Sequence, residues 1–271
     1  MRFGLSIPNF GAYAEPRRVV ELAIAAEAGG WDGFFVWDHI VIADGMPVAD
    51  PWVLLGAVAA STEDVRIGPM VAALPRHRPW EVARRAVSLD RLSGGRMILG
   101  VGLGFPPGEE FGTFGEPEDA RLRADMLDEG LEIIQGVWSG DRFGFEGSHY
   151  SVRPTAFGPP PLHDIPIWVA AMIPARRPLR RAARFAGVFP IRSDFGEIEP
   201  TLVEETLSYI RAKGGSEVPF DFVIGGPPKT GGEFEALEQA GVTWYLGGPA
   251  EGEDPDQTLE WVAVGPSAYR I

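Results

Sequence analysis

The 271-residue chain contains no cysteine, and no apolar run in it approaches the roughly 20 residues that cross a bilayer. The missing cysteines exclude disulfides, thiolate metal sites and cysteine nucleophiles. The chain begins with MRFGLSIPNF, which lacks the long apolar segment of a secretory signal. We therefore expect a soluble, uncleaved protein of the cytoplasm that does not enter a membrane.

Lysine is nearly absent as well, since only Lys213 and Lys229 are lysines among 24 basic residues. With 38 acidic residues, the formal net charge is −14. Phosphate backbones repel a uniformly acidic surface, which argues against a nucleic-acid binder. A content of 45% hydrophobic and 23% charged residues is typical of a folded globular domain. The expected partner is therefore a small molecule.

Eight strand-like apolar runs recur along the chain. They lie at 3–7, 34–37, 65–71, 97–101, 166–170, 188–191, 220–224 and 242–246. Six of the seven intervals between their starts are 22 to 32 residues, the length that a strand, a helix and two short loops occupy. The spacing predicts an α/β fold, a (β/α)8 TIM barrel.

Helix signals lie between these runs, most of them prolines suited to a first turn. The predicted helices begin at Pro16, Pro51, Pro79, Pro178 and Pro200, and two more cover 119–138 and 232–240. The remaining interval, 69 residues after the fourth run, predicts an insertion at about 105–164, on the side where barrel enzymes keep their active-site loops. No linker divides the chain, so 1–271 is predicted to be one domain. The acidic cluster at 251–256 is predicted to be an exposed loop.

Asp38 and His39 follow the second run directly, at the strand end that opens into a barrel active site. The pair could orient an imidazole or transfer a proton to a ligand. The alternative is a helix-capping aspartate beside a histidine satisfied in the core. His77 lies between two arginines and is expected to be neutral or exposed, whereas His149 and His163 belong to the insertion and could touch substrate.

Several common catalytic motifs are absent from the sequence. It has no His-x-His, no His-Glu-x-x-His and no cysteine pair, so no metal site is predicted. It also lacks a Gly-x-Ser-x-Gly nucleophile elbow. The run 100–104 resembles a dinucleotide-binding loop, but Phe105 replaces the third glycine, and Pro106 and Pro107 block the helix that such a loop must open.

Charged residues beside the predicted strand ends give two further candidates. Arg176 and Arg177 precede a helix predicted to begin near Pro178, where they could bind a phosphate or belong to a solvated face. Three later arginines of that helix are predicted to point outward: Arg180, Arg181 and Arg184. Glu109 and Glu110 follow the fourth strand and could exchange protons with a reacting group, or could be surface acids.

The segment 76–96, with the strand 97–104 after it, resembles the bacterial luciferase-like monooxygenase superfamily. It contains the core leucine-acid-x-leucine-serine-glycine-glycine-arginine at 89–96. Supporting matches are 27–34, 37–39 and 240–245, so the resemblance runs from the first strand to the eighth. The superfamily includes FMN monooxygenases and coenzyme F420-dependent reductases and dehydrogenases.

This resemblance implies a barrel that holds a flavin or deazaflavin at the C-terminal ends of its strands. It implies catalytic roles for His39 with Asp38 and for Glu109 or Glu110, and a non-prolyl cis peptide within 71–73. The implied cofactor-binding residues are Asp38, His39, Val71, Ala72, Ala73, Gly102, Ala170, Ala171, Met172, Arg176 and Arg177. The chain departs from many relatives after the fifth strand, where Ala-Ala-Met-Ile-Pro replaces glycine or serine.

Three functions follow from the resemblance. The favoured one is F420-dependent hydride transfer to or from a small organic substrate, because of Asp38-His39 and the arginine cluster. The first alternative is an FMN monooxygenase that uses oxygen and a separate flavin reductase, and the second is a non-catalytic flavin-binding barrel. A homodimer is possible in each case. The pocket is expected to be apolar and aromatic, formed by Trp37, Phe105, Phe111, Phe143, Phe145 and Tyr150.

Overall fold

Nine of the eleven strands form one parallel sheet that closes on itself, and the other two form an antiparallel hairpin, as a computed structural model describing residues 1–214 and 220–269 shows. In chain order the strands are β1 (Arg2–Ile7), β2 (Gly33–Val36), β3 (Arg66–Pro69), β4 (Ala72–Ala73), β5 (Leu99–Gly102), β6 (Arg142–Glu146), β7 (Ser151–Ala156), β8 (Ile167–Ile173), β9 (Gly187–Arg192), β10 (Asp221–Gly225) and β11 (Trp244–Gly247). The sheet runs β3-β2-β1-β11-β10-β9-β8-β5-β4. Because β3 and β4 are two parts of one barrel strand, the two ends of this order meet, and the predicted TIM barrel is confirmed.

Helices alternate with these strands and surround the barrel. They are α1 (Pro16–Ala28), α2 (Pro51–Ser61), α3 (Pro79–Leu92), α4 (Pro107–Glu110), α5 (Ala120–Trp138), α6 (Arg176–Ala182), α7 (Pro200–Arg211), α8 (Gly231–Ala240) and α9 (Pro255–Val264). Their buried faces pack against the outside of the strands in the larger of two apolar clusters. None of the helices within 1–214 and 220–269 is long and apolar enough to cross a membrane.

The barrel closes where β3 meets the chain leading into β5. The Ile67 amide donates to the Arg96 carbonyl at 3.1 Å, and the Ile98 amide donates to the Ile67 carbonyl at 2.9 Å. Gly68 permits this approach, because a Cβ there would stand 1.8 Å from the Ile98 carbonyl oxygen. A glycine is therefore required at the closing contact.

The third barrel strand is interrupted by a cis peptide between Met70 and Val71, at the start of the segment 71–73 in which the family resemblance implied one. Glycines of β5 make room for this interruption. A Cβ on Gly100 would lie 2.4 Å from the Pro69 carbonyl oxygen, and one on Gly102 would lie 2.8 Å from Val71 Cγ2. The glycine run 100–104, which is not a dinucleotide loop, thus serves close packing between two strands.

Large side chains fill the interior of the barrel. The smaller apolar cluster lies inside the strands and consists of Phe35, Met70, Ile98, Trp168, Val223, Trp244 and Leu246. The ring centroids of Trp168 and Trp244 are 5.2 Å apart, and those of Phe35 and Trp168 are 5.3 Å apart. A packed interior directs any ligand to the mouth formed by the loops at the C-terminal strand ends.

The segment between β5 and β8 contains α4, α5 and the antiparallel hairpin of β6 and β7. The Glu129 carboxylate of α5 accepts hydrogen bonds from the backbone amides of Ser148, His149 and Tyr150, at 2.7, 2.9 and 3.1 Å. These three bonds attach the hairpin turn to α5. The hairpin itself was not predicted from the sequence.

Two local predictions are wrong. Arg181 does not point outward: it is buried and donates through Nε to Asp128 Oδ1 at 2.5 Å, because an acid of α5 compensates its charge. The acidic cluster 251–256 is not wholly a loop either. The Asp254 side chain accepts from the Asp256 amide at 2.8 Å, and this cap starts α9 at Pro255.

Candidate active site

A buried group of charged side chains lies where β2, the turn after β4 and α4 meet. We call Asp38, His39, Arg76, His77 and Glu110 the Asp38 cluster. The Asp38 carboxylate accepts hydrogen bonds from Arg76 Nη2 at 2.7 Å, His77 Nε2 at 2.8 Å and the Ala73 amide at 3.1 Å. Three donors on a carboxylate that is 3% exposed hold it in one orientation.

Glu110 is the second carboxylate of the cluster, and it is 1% exposed. Its Oε1 accepts from His39 Nδ1 at 3.1 Å and from the Ile40 and Val41 amides at 3.0 and 3.3 Å. Its Oε2 contacts Arg76 Nη1. One guanidinium therefore joins both carboxylates, and Glu110 joins the strand-two loop to α4.

The cluster favours an ionised aspartate beside a neutral histidine. Burial by itself raises the pKa of Asp38, but the His77 hydrogen bond and the charges of His77 and Arg76 outweigh it, so the pKa is lowered. Burial, and then the positive charge of Arg76, lower the pKa of His39 to about 4. At neutral pH the His39 ring carries one proton.

That proton lies on Nδ1, because the acceptor at 3.1 Å is the carboxylate oxygen of Glu110. Nε2 keeps its lone pair, and it has no hydrogen-bond partner among residues 1–214 and 220–269. The ring lies against Phe10 and Trp37, with centroid distances of 5.7 and 5.8 Å, and is 20% exposed. His39 is thus oriented to accept a proton at Nε2.

The backbone of His39 is fixed by Asn9, the single asparagine of the chain. Asn9 is fully buried, and its Nδ2 donates to the carbonyls of His39 and Ala49, both at 2.8 Å. Its Oδ1 accepts from the His39 amide at 3.2 Å. Asn9 therefore sets the position of the loop that carries the histidine.

Beside the cluster, the barrel mouth opens into a cavity of about 740 Å³. Trp37 connects the two, since it lines the cavity and its ring contacts His39. Most of the wall comes from β9, β10, β11 and the segments that follow them, including Phe189, Phe195 and Tyr269. An apolar, aromatic pocket was predicted, and this cavity has that character.

Most aromatic residues predicted for the pocket lie elsewhere. Trp37 lines the cavity, and Phe105 contacts the lining residue Phe195 at a centroid distance of 5.5 Å. Phe111 is buried beneath the Arg123 guanidinium. The remaining three belong to the hairpin region, where they pack against α5 or α3: Phe143, Phe145 and Tyr150.

The structure distinguishes between the two candidate glutamates. Glu110 is in the Asp38 cluster, whereas its neighbour Glu109 is exposed. His149 donates its amide to Glu129 on the hairpin turn, and His163 lies against Gly95, which precedes β5 at the opposite end of the barrel. Neither histidine of the insertion is brought to the cluster.

None of the residues predicted to bind cofactor lines the cavity at the barrel mouth, and two of them, Asp38 and His39, line a smaller neighbouring cavity of about 210 Å³. Ala72, Ala73 and Ala171 are buried in the strands, as is Gly102, which Val71 covers. Ala170 and Met172 belong to β8, and the Met172 side chain is partly exposed.

Arg176 and Arg177 are engaged outside the barrel rather than at the cluster. The Arg176 guanidinium stacks on the Tyr209 ring at 4.4 Å. Arg177 Nη2 donates to Asp125 and Asp128 of α5 at 2.5 and 2.8 Å. Both side chains therefore have partners on the flanking helices.

Sequence reasoning missed the roles of Arg76, His77 and Asn9. Arg76 and His77 lie 38 and 39 residues from Asp38 and were interpreted as a cationic loop. The available signal was positional, because a histidine and an arginine directly after a third barrel strand face the residues after the second. A lone asparagine at the end of β1 was a further signal.

A family model described as luciferase-like monooxygenase matches residues 1–263. An uncharacterized protein of Mycobacterium tuberculosis is 32% identical over 243 residues, which are 83% of this chain and 82% of that protein. An F420-dependent glucose-6-phosphate dehydrogenase of Beutenbergia cavernae is 34% identical over 208 residues, 74% of this chain and 59% of that enzyme.

Among solved structures, an F420-dependent secondary alcohol dehydrogenase has a TM-score of 0.81 at 17% identity, covering 100% of this chain and 99% of that one. The monooxygenase RslO1 from Streptomyces bottropensis has a TM-score of 0.72 at 26% identity, covering 89% and 75%. With a family match over nearly its whole length and a TIM-barrel fold shared with these enzymes, the chain belongs to the luciferase-like monooxygenase family of oxidoreductases.

Proposed function

We propose that the chain is a coenzyme F420-dependent oxidoreductase that transfers hydride between the deazaflavin and a small neutral alcohol or carbonyl compound. The observation that carries the proposal is the His39–Glu110 pair, which leaves Nε2 of a neutral imidazole as a proton acceptor on a ring that contacts Trp37, a residue of the cavity wall. The names of the F420-dependent relatives support the choice of cofactor.

The residues at the mouth fit the ring system of a deazaflavin. The cavity of about 740 Å³ is within the range of small-molecule and cofactor sites, about 300–1,000 Å³. Trp37, whose ring contacts His39, and Met70 are apolar residues of the lining, to which Gly225, Gly226 and Gly247 also contribute. These residues would hold the ring, and the deazaflavin supplies hydride chemistry when bound.

The side chains of the Asp38 cluster supply the proton chemistry that must accompany hydride movement. When an alcohol is oxidised, its hydroxyl proton passes to His39 Nε2 as the hydride leaves the carbon. Glu110 stabilises the imidazolium formed, because its carboxylate is bonded to Nδ1–H. In the reverse direction His39 returns the proton to the oxygen of the carbonyl compound. Asp38 is proposed to support the rest of the cluster through its hydrogen bonds with Arg76 and His77.

The cavity wall favours an uncharged, apolar substrate. Among its described lining residues the one cation is Arg192, which is paired with Asp194 through contacts of 2.8 and 2.5 Å. The Glu253 carboxylate is occupied by Trp261 Nε1, Thr258 Oγ1 and the Ala250 amide. No described lining side chain is thus free to bind a phosphate. We therefore propose a substrate unlike the sugar phosphate in the names of several relatives.

The proposal is tested by titrating the purified protein with F420 and with FMN, followed by turnover assays. We expect tight F420 binding, weak FMN binding and F420 reduction with secondary alcohols, but none with glucose 6-phosphate. Failure to reduce F420 with any alcohol, or to oxidise its reduced form with any ketone, would contradict the assignment.

An FMN monooxygenase is the second candidate, supported by the 26% identity to RslO1. It requires reduced flavin, oxygen and a separate flavin reductase. Tight FMN binding and oxygen uptake with an added reductase would favour it over hydride transfer to F420. The non-catalytic alternative has no support from the relatives described above, since those named for a function are enzymes. A homodimer and a cytoplasmic location stay predictions.

A further inference from the structure

Arg76 occupies a position between two buried acids that no other described residue shares. Its side chain is 8% exposed, and those of Asp38 and Glu110 are 3% and 1% exposed. Nη2 donates to Asp38 Oδ1 at 2.7 Å and to the Asp38 carbonyl at 2.9 Å, while Nη1 contacts Glu110 Oε2. The planar guanidinium makes both contacts because its nitrogens are held in a rigid fork.

This bridge bears on His39 through Glu110. The carboxylate of Glu110 divides its two oxygens between Arg76 and the His39 imidazole, so part of its negative charge is compensated on the side away from the ring. Without that compensation, two buried carboxylates would attract a second proton onto the imidazole. Nε2 would then carry a proton and could no longer accept one.

The charged groups around His39 come from four segments of the chain. Asp38 lies on the same loop, Arg76 and His77 follow β4, and Glu110 belongs to α4. Asp50 lies across a small cavity of about 210 Å³, where its carboxylate caps α2 through the Trp52 and Val53 amides. Of these groups, Arg76 contacts both buried carboxylates. Burial of the imidazole, and then the positive charge of Arg76, lower the pKa of His39 to about 4.

We propose that Arg76 is a positioning residue for the reaction: by bridging Asp38 and Glu110, it keeps the His39 ring singly protonated on Nδ1 and leaves Nε2 as the proton acceptor. The consequence of this Arg76 bridge for catalysis rests on the proposed function. The protonation state of the His39 ring is a property of the chain itself and is measured without a substrate.

The direct test is nitrogen-15 NMR of histidine side chains in the whole protein, with the His39 signal assigned by its loss in His39→Gln. At about pH 6 the wild-type His39 is expected to show a protonated Nδ1 and an unprotonated Nε2. In Arg76→Gln its titration midpoint should rise by about one pH unit or more. Arg76→Lys, which keeps the charge without the fork, should give an intermediate rise.

Arg78→Gln is the matched control. Arg78 is an arginine of the same loop, but no contact between it and His39 or Glu110 is found among the described residues. It should leave the His39 titration unchanged. If Arg76→Gln does not fold, Arg76→Lys provides the test by itself. An unchanged His39 midpoint in the folded Arg76 variants would overturn the proposal.

Kinetics separate this inference from the proposed function. If F420-dependent turnover is present, the acid limb of the pH profile of kcat/KM should move upward in Arg76→Lys by the same amount as the NMR midpoint. If no turnover is found, the proposed function fails while the NMR result still decides the role of Arg76. A fall in kcat/KM without movement of the acid limb would indicate a structural role only and would also overturn the proposal.

Discussion

His39 Nδ1 lies 3.1 Å from Glu110 Oε1, although 71 residues separate the two along the chain. The contact joins the loop after β2 to the short helix after β5, and it determines which ring nitrogen carries the proton.

Replacing His39 with alanine should lower kcat by about 10²–10⁴-fold, because the reaction loses its proton acceptor. The dissociation constant of the cofactor should change little, since the cavity wall is unaffected. Both are measured by steady-state assays and fluorescence titration. His163→Ala is the control, because His163 is exposed at the opposite end of the barrel. Unchanged turnover in His39→Ala would remove His39 from the mechanism.

Glu110→Gln and Glu109→Gln form a matched pair of neighbours. We expect Glu110→Gln to lower the free energy of unfolding by about 3 kcal/mol, because Arg76 loses one of its buried partners. The turnover of Glu110→Gln should also fall. Glu109→Gln should stay within about 0.5 kcal/mol of the wild type, as is usual for an exposed residue. Urea unfolding measures both, and equal effects of the two substitutions would be incompatible with the geometry.

The stability of the protein should decrease in mild acid because of His39. Its pKa is lowered to about 4 in the folded protein from 6.5, so the unfolded chain binds more protons between these values. From about pH 7 to about pH 5, this group alone should lower the free energy of unfolding by about 2 kcal/mol. Urea unfolding at both pH values measures the change, and His39→Gln should show a smaller decrease. An equal decrease in both proteins would assign the effect to other groups.

Gly68→Ala should lower the free energy of unfolding by about 3 kcal/mol, because its Cβ would overlap the Ile98 carbonyl at the barrel closure. Gly56→Ala is the contrasting control. Gly56 lies within α2, and a Cβ there meets no atom within 4 Å, so alanine should stabilise the helix by about 0.5–1 kcal/mol. Thermal unfolding distinguishes the two, and a neutral Gly68→Ala would contradict the closing contact.

The barrel could be predicted from the sequence because its signal is local and repeated. Each barrel strand buries a short apolar run, and most outer helices begin at a proline or after a capping residue such as Asp50, whereas α6 begins at Arg176 with neither. The final helix α9 was missed, because its start at Pro255 is obscured by the acidic residues that cap it.

The candidate active site was predictable only in part. Asp38, His39 and the acids at 109–110 could be located at strand ends, but which acid turns inward depends on α4, a helix of four residues. The role of Arg76 depends on the charges it meets, and those belong to other loops. Arg181 shows the same limit, since its burial is decided by Asp128 on a different helix. Pairing between distant elements has no local signature.

The cavity and the Asp38 cluster come from different halves of the barrel. The cluster lies within residues 38–110, whereas most of the cavity wall lies within 189–269. Substitutions in the cavity wall can therefore accumulate without disturbing the residues proposed to handle the proton. Exchanging the loops after β9, β10 and β11 between members of the family should transfer substrate preference without changing the pH dependence of turnover in the recipient enzyme. A barrel organised in this way can acquire new substrates by recombination of its C-terminal half alone.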